Sequence, residues 1–491
     1  MLRDAWGVRG ERRGQPYFEA ALVEACRRSV SLRFMPHDST AQAARERADG
    51  LMTGFPPAPE AQVTLANWQD PPYSRWAFRH MRELIPSHPI PAAGPAGGIG
   101  GVVPPGASRA GPAGGIGGVV PPGASRAGPA GGLGGDQGFV PPGASRVPLP
   151  AASRPLPDPP VWRLDGSTAT AAEVFADTYT DALVVLHDGQ LVAERYAAGM
   201  TAATPHLLMS VSKSLVGCVA GVLAEHGLLD PAAPVTTYVP EAGSSGYAGA
   251  TVRHLLDMRT GVAFRETYTE PDAEVRVMER SMGWRPAQPG DPAGAYPYLI
   301  TLGQAGPHGG EFTYRSADSD MLGWVCERAS GTRMADLISA LIWRPMGAER
   351  DGEITCDPLG SAIHDGGVSA TARDLARFGQ LLVDDGYPVI PAAWLAATRD
   401  PGPGVREAFA ATDNELVLPG GWYRNQFWVI PGPGGPVLVC LGIHGQLVYA
   451  DRATRTVVVK MSSWPDAQNT AYLLDTLRAC VALAAHLSAT G

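Results

Sequence analysis

Two apolar runs, Ala182–Leu186 and Leu191–Tyr196, flank the tetrapeptide His187-Asp188-Gly189-Gln190. Runs rich in Val and Leu predict strands, and Asp-Gly between them predicts a tight hairpin. Helical spacing follows: Leu215, Cys218, Val219, Val222 and Leu223 recur at intervals of three and four, and Gly227 supplies a stop. A second helix is predicted over Ser319–Arg328, ending before Gly331, with Ser316 or Asp318 as its N-cap. Thr371–Val383 has the same period. The C-terminal region turns back to strands, at Phe427–Ile430, Val437–Leu441, Leu447–Ala450 and Val457–Met461, before a closing helix near Ala471–His486. Strands at both ends with helices between predict an α+β fold, an antiparallel sheet flanked by helices.

The chain before Ala182 is patterned differently. Residues 94–110 read GPAGGIGGVVPPGASRA, residues 111–127 repeat them identically, and 128–146 are a longer, diverged copy. The 17-residue period is not a multiple of three, which excludes a collagen helix. Gly/Pro repeats bury too little surface to offset chain entropy, so 91–160 is expected to be a disordered insert. Residues 1–62 are Arg-rich and weakly patterned, and are expected to be a disordered arm or an over-extended start. The division that follows is 1–62 extension, 63–90 first part of the main domain, 91–160 insert and 161–491 main domain.

Composition narrows the possible partners. Of 491 residues 45% are hydrophobic, enough for a large core, and the net charge is −9. That charge argues against nucleic acid or an anionic membrane as the partner. No segment reaches the ~18 uninterrupted apolar residues of a spanning helix. Met1-Leu2-Arg3-Asp4 begins no secretory signal, so a cytoplasmic location is expected. Six scattered cysteines fit neither a disulfide framework nor a zinc site and read as buried thiols. No metal or organic cofactor is implied.

The chain holds 37 arginines but two lysines, Lys213 and Lys460. Arginine cannot lose its proton near neutral pH, whereas a desolvated lysine can. A lysine kept in such a background is a candidate for chemistry that needs a free amine. Lys213 lies three residues after Ser210, an S-x-x-K in which positions i and i+3 share a helix face. A hydroxyl becomes a nucleophile when a base takes its proton, and burial can make a lysine that base. Ser210, Lys213, Ser214, Gly217 and Gly221 also form a stripe of small residues broken by the lysine. The stripe would let another element approach and leave the amine in a dry cleft. The competing reading is an N-cap serine beside a solvated lysine. No G-x-S-x-G elbow, Walker loop or H-E-x-x-H is present. His364 and His444, near glycines, read as hydrogen-bonded loop residues, and Asp318 and Asp320 as helix-start charges.

S-x-x-K opening a long helix, followed by His226-Gly227-Leu228-Leu229-Asp230-Pro231 and Val235–Glu241, resembles the class C β-lactamase and DD-peptidase family of serine hydrolases. Within it, Val63–Ile85, Thr267–Trp284, Glu311–Trp324, Gly366–Phe378 and Gly442–Trp464 are most similar to the nylon-oligomer amidase branch. The resemblance implies a β-lactamase/transpeptidase-like fold, with a helical subdomain beside the sheet. It implies a tyrosine that assists proton transfer, at Tyr314 in Phe312-Thr313-Tyr314-Arg315-Ser316, where Ser316 replaces the lactamase Asn. The family's K-T-G edge strand aligns with Cys440-Leu441-Gly442, so the lysine that binds a substrate carboxylate is missing. The backbone N–H groups of Ser210 and Ile443 are the implied oxyanion hole, with Gln446 the alternative if the alignment slips. Tyr268, Glu279, Asp365 and His444 are implied to line the substrate cleft, Tyr268 from a mobile loop and Glu279 as a carboxylate that favours free-amine substrates.

The function expected is hydrolysis of short esters and linear amides, such as aminohexanoate oligomers, through an acyl-enzyme. A non-catalytic ligand-binding protein of the same fold is one alternative. A D-amino-acid peptidase or β-lactamase is the other, disfavoured by the missing lysine. The expected partner is a small ester or amide, with no nucleic acid or membrane and with a homodimer left open.

Overall fold

In the computed structural model, residues 50–92, 149 and 156–490 are described. The strands in chain order are β1 (Ser87–Ile90), β2 (Pro160–Trp162), β3 (Thr168–Thr170), β4 (Thr180–His187), β5 (Gln190–Tyr196), β6 (His206–Leu207), β7 (Gly352–Thr355), β8 (Val368–Ala370), β9 (Trp422–Arg424), β10 (Phe427–Gly432), β11 (Gly435–Gly442), β12 (Gln446–Asp451) and β13 (Thr456–Ser462). Seven form one antiparallel sheet in the order β5-β4-β13-β12-β11-β10-β9. The first and last strands of the run are therefore neighbours, with Val185 opposite Val458. The predicted hairpin forms, and Asp188 (φ 50°) and Gly189 (φ 74°) both take the left-handed conformation that such a two-residue turn requires.

Helices cover the sheet. Ala372–Val383 lies on β12, β13 and β4, and starts at Thr371, whose hydroxyl accepts from the Asp374 N–H. The closing helix, Thr470–Thr490, packs on β12, β13 and the Ala171–Asp177 helix. The opposite face, which Ala372–Val383 also covers, carries the fifteen-residue Val211–Glu225 helix, which contacts a second helix of the same length, Ser316–Ser330. Shorter helices between them, among them Val252–Leu256, Glu274–Ser281 and Ala295–Leu299, make up the helical part. A second sheet, β1-β7-β8-β6, holds the start of the Val211–Glu225 helix: Leu207 pairs with Ser369, and the Leu208 N–H donates to the Val368 carbonyl.

Three expectations need correction. The Ser316–Ser330 helix has Arg315 at its N-cap and no side-chain cap, because the Ser316 and Asp318 side chains are used elsewhere. Leu51 is buried in the core and Pro160 starts β2, so the ordered domain reaches into the ends of both expected disordered segments. The remainder of those segments, 1–49 and most of 93–155, lies outside the described residues. Lys460 is buried, donating to the Thr178 carbonyl at 2.8 Å and to Ser462. It ties β13 to the turn before β4, so lysine scarcity alone does not mark chemistry.

Candidate active site

The Val211–Glu225 helix is buried over its first thirteen residues, Lys213 included. The small stripe has the expected effect. A Cβ at Gly217 would stand 2.3 Å from the Asn425 carbonyl oxygen, and one at Gly221 would meet the Trp394 ring at 2.7 Å. The β9–β10 turn thus sits directly on the helix. Ser214 and Ser319 fasten it, donating to the Gln426 carbonyl (2.8 Å) and side-chain oxygen (2.6 Å).

Ser210 occupies the N-cap position, yet its hydroxyl caps nothing. Instead the Lys213 amine donates to Ser210 Oγ at 2.8 Å. Met209, just before it, is held at φ 47°, a strained conformation for a non-glycine residue. Tyr314 comes from the segment before the Ser316–Ser330 helix. Its ring stacks on Trp428 (5.3 Å between centroids) and meets Tyr423 edge-on (5.8 Å). The phenol is electrostatically coupled to Ser210 and Lys213, and the Lys213 amine lies 5.3 Å from the ring centre. The three residues singled out in the sequence therefore meet at one point.

The lysine's surroundings differ from the expectation of a depressed pKa. Burial pushes the Lys213 amine downward, but Tyr314, Asp365, Glu266 and Asp320 pull it up, and the net direction is upward. These four groups favour the charged form of the amine. Its other two donors go to Ser316 Oγ (3.0 Å) and the Asp365 carbonyl (2.7 Å). Burial also pushes the Tyr314 phenol up, against the pull of Lys213, so it holds its proton at neutral pH.

Glu266 was not found from the sequence. Its carboxylate accepts from the Ser316 N–H (2.6 Å), the Ser316 hydroxyl (2.9 Å) and the Tyr268 hydroxyl (2.8 Å), and it lines the cavity beside Ser210. Its position five residues after Gly261, in a loop without periodicity, carries no signal. Asp320, expected from its place near the helix start to serve the dipole, is fully buried and accepts the backbone N–H groups of His364 (2.8 Å) and Asp365 (3.1 Å). It fixes the loop whose carbonyl holds Lys213.

On the opposite wall, β10 pairs with β11 only as far as Val439. Cys440, Leu441 and Gly442 keep β12 as their partner, which leaves a local edge inside the sheet. A Cβ at Gly442 would come within 2.7 Å of the Leu208 carbonyl oxygen and 3.1 Å of Met209 Cβ. Glycine lets the strand end close on the backbone just before Ser210. Ser210, Tyr314, Gly442 and Ile443 share the wall of a cavity of about 260 Å³ that continues past Trp428 and Leu441 to the start of the closing helix. Among the described residues no cationic side chain lines it, and Glu266 is the sole charged one. Gln446 also lines it, but its amide is tied to both atoms of the Ser462 backbone that face it (2.6 and 3.0 Å).

The implied cleft residues separate. Asp365 is brought to the site, its Oδ2 3.6 Å from the Lys213 amine. Tyr268 is held by its hydrogen bond to Glu266 and by the Arg276 guanidinium 5.2 Å from its ring centre, and is not on the cavity wall. Glu279 is not brought in: Arg276 and Arg285 each bind its Oε2 at 2.6 Å. A carboxylate neutralised twice is not available to a substrate amine. His444 does not line the cavity either. It sits at φ 58° with Nδ1 2.8 Å from the Trp464 carbonyl and its ring edge-on to Phe78. Its burial pushes its pKa down.

A buried serine–lysine–tyrosine cluster beside an open strand end, on this sheet-and-helix frame, defines a serine hydrolase of β-lactamase fold. The chain belongs to the Beta-lactamase family, whose model matches residues 171–483. It is 36% identical over 420 residues to a 6-aminohexanoate-dimer hydrolase of Paenarthrobacter ureafaciens, covering 84% of this chain and 91% of the relative. Among solved structures, it is similar to a Bacillus anthracis protein provisionally named a 6-aminohexanoate-dimer hydrolase. The TM-score is 0.68 at 25% identity, over 87% of this chain and 97% of that one. EstCE1, a hydrolase with promiscuous acyltransferase activity, shares the fold at a TM-score of 0.51 and 16% identity, over 63% of this chain and 98% of its own. No helix among the described residues is long and apolar enough to cross a membrane.

Proposed function

We propose that the chain hydrolyses short esters and linear amides, 6-aminohexanoate dimer among them, through an acyl-enzyme on Ser210. The observation that carries this reading is the 2.8 Å contact between Ser210 Oγ and the Lys213 amine on the cavity wall. In the proposed reaction Ser210 Oγ attacks the substrate carbonyl as its proton passes to Lys213 in its neutral amine form. The N–H groups of Ser210 and Ile443 face the developing oxyanion, where fixed donors contribute most. Tyr314 hands a proton to the departing alkoxide or amine and recovers one from Lys213. Water then attacks the acyl-enzyme by the same route in reverse and frees the acid.

The lining favours uncharged acyl groups. A β-lactam or a peptide ending in a carboxylate would meet Glu266 and no cation. The shared name of two relatives supports the linear amide, though Glu279, clamped between two arginines, does not supply the amine contact that the resemblance implied. The proposal places catalysis in residues 63–90 and 161–491. It includes a cytoplasmic location, which five free, buried thiols among the described residues support, and a homodimer, testable by light scattering. A panel of p-nitrophenyl acetate, 6-aminohexanoate dimer and a chromogenic cephalosporin tests the reading. Turnover of the first two and not the third is expected, and cephalosporin hydrolysis without ester hydrolysis would overturn it.

A further inference from the structure

In the charged form that its surroundings favour, Lys213 has no lone pair to offer. Its three protons are all committed, to Ser210 Oγ, Ser316 Oγ and the Asp365 carbonyl. An ammonium so placed can orient the serine but cannot take its proton. Something in the cluster must first accept one proton from it, and four acidic groups surround it: Tyr314, Asp365, Glu266 and Asp320.

Asp365 is the one whose geometry fits. Its Oδ2, 3.6 Å from the amine, is the sole carboxylate oxygen within ion-pair distance of Lys213 among the described residues. Its Oδ1 is buried without a hydrogen-bond partner, so the carboxylate is incompletely satisfied as an anion. Among the described residues no arginine pairs with it, in contrast to Glu279 between its two arginines. Glu266 already accepts three hydrogen bonds, and Asp320, whose Oδ2 is likewise unpartnered, has neither oxygen within ion-pair distance of Lys213, while its Oδ1 takes two backbone N–H groups and stands 3.5 Å from His364 Nδ1. His364 stands against Asp320 and Glu327, not against Asp365.

We propose that Asp365 is a positioning residue that discharges Lys213: the ammonium passes one proton to the Asp365 carboxylate, leaving an amine that takes the Ser210 proton as Oγ attacks. One N–H bond breaks and one O–H bond forms, and the pair goes from ion pair to neutral pair with no outside reagent. The Asp365 proton then stays in place through acylation and deacylation, while Lys213 and Tyr314 exchange theirs with the substrate. The burial of the site favours this exchange, since a dry environment penalises two charges more than two neutral groups. Burial and the neighbouring Asp320 together push the Asp365 carboxyl up to about 7, with Lys213 opposing and Glu266 adding to the rise. Below that pH the carboxyl is already protonated and cannot accept; above it, acceptance is open.

The inference rests on the proposed serine mechanism, so the experiment separates the two. The pH dependence of kcat/KM for p-nitrophenyl acetate is measured on the full chain, alongside stoichiometric labelling of Ser210 by a fluorophosphonate. The wild-type profile is expected to rise with pH through an inflection near 7, where Asp365 becomes able to accept. Asp365→Asn is expected to lose that inflection and to fall by roughly tenfold or more on the plateau, within the usual range for a proton-transfer partner. Asp365→Glu is expected to keep an inflection, displaced from the wild-type position. An Asn variant that retains both the inflection and the rate overturns the inference and leaves the serine mechanism standing. A wild type in which Ser210 takes no label overturns the mechanism itself. If the Asn variant does not fold, the Glu variant decides: an inflection at the wild-type pH assigns it to another group and overturns the inference.

Discussion

At the scale of single residues, the site is a cluster of acids arranged around one cation. Lys213 is buried at a cost that Asp365, Glu266, Asp320 and Tyr314 offset, and this is why its pKa moves up although its burial alone would move it down. Tyr314 keeps its proton for the opposite reason, since its burial outweighs the pull of the lysine. Replacement of Tyr314 by Phe keeps the ring on Trp428 and removes only the hydroxyl. It is expected to lower kcat for ester hydrolysis by about 10²–10⁴-fold with KM little changed, as steady-state kinetics would show. Ser210 and Lys213 were legible because i, i+3 spacing is a property of the helix itself, and Tyr314 because a motif resemblance carried it. Glu266 and Asp320 were not, because their roles depend on what lies opposite them after folding. Glu279 and His444 failed for the same reason, Glu279 through its arginines and His444 through the left-handed backbone that turns its ring towards Phe78.

At the scale of elements, the chemistry depends on how closely three backbones approach. The β9–β10 turn rests on the Val211–Glu225 helix at Gly217, and the end of β11 rests on the Leu208–Met209 backbone at Gly442. Gly217→Ala would force a methyl against the Asn425 carbonyl 2.3 Å away, on a backbone that cannot rotate aside. The overpacking is expected to cost about 1–3 kcal/mol of stability, read from denaturant unfolding. Ester hydrolysis should fall too, because Trp428, on the strand that follows the turn, holds Tyr314. The sequence showed the small stripe and predicted close approach, but not which element would come. The strands and long helices were readable to within a few residues because alternation and helical period survive in one sequence. The N-cap at Arg315 was not, since the expected caps, Ser316 and Asp318, are claimed by tertiary contacts that only folding brings about.

At the scale of the molecule, the catalytic unit is assembled from distant parts of the chain. β1, before the Gly/Pro repeats, pairs with β7 some 260 residues later, Ser87 opposite Thr355, and Trp68 donates to the Trp284 carbonyl at 2.7 Å. Segments that precede the repeats in the sequence therefore pack against segments that follow them. Loop-closure entropy changes slowly with length, about 0.6 kcal/mol per doubling. Deletion of residues 94–127, the two identical copies, is accordingly expected to leave kcat/KM within about twofold and the melting temperature unchanged, by ester assay and calorimetry. The central claim is that turnover passes through an ester on Ser210. Rapid quenching of the wild type during p-nitrophenyl acetate hydrolysis, followed by peptide mapping by mass spectrometry, tests it most directly. An acetyl group on the Ser210 peptide that forms at least as fast as turnover, and is absent in Ser210→Ala together with the activity, is the expected result. Undiminished hydrolysis by Ser210→Ala, or turnover with the acetyl group on another residue, would contradict it.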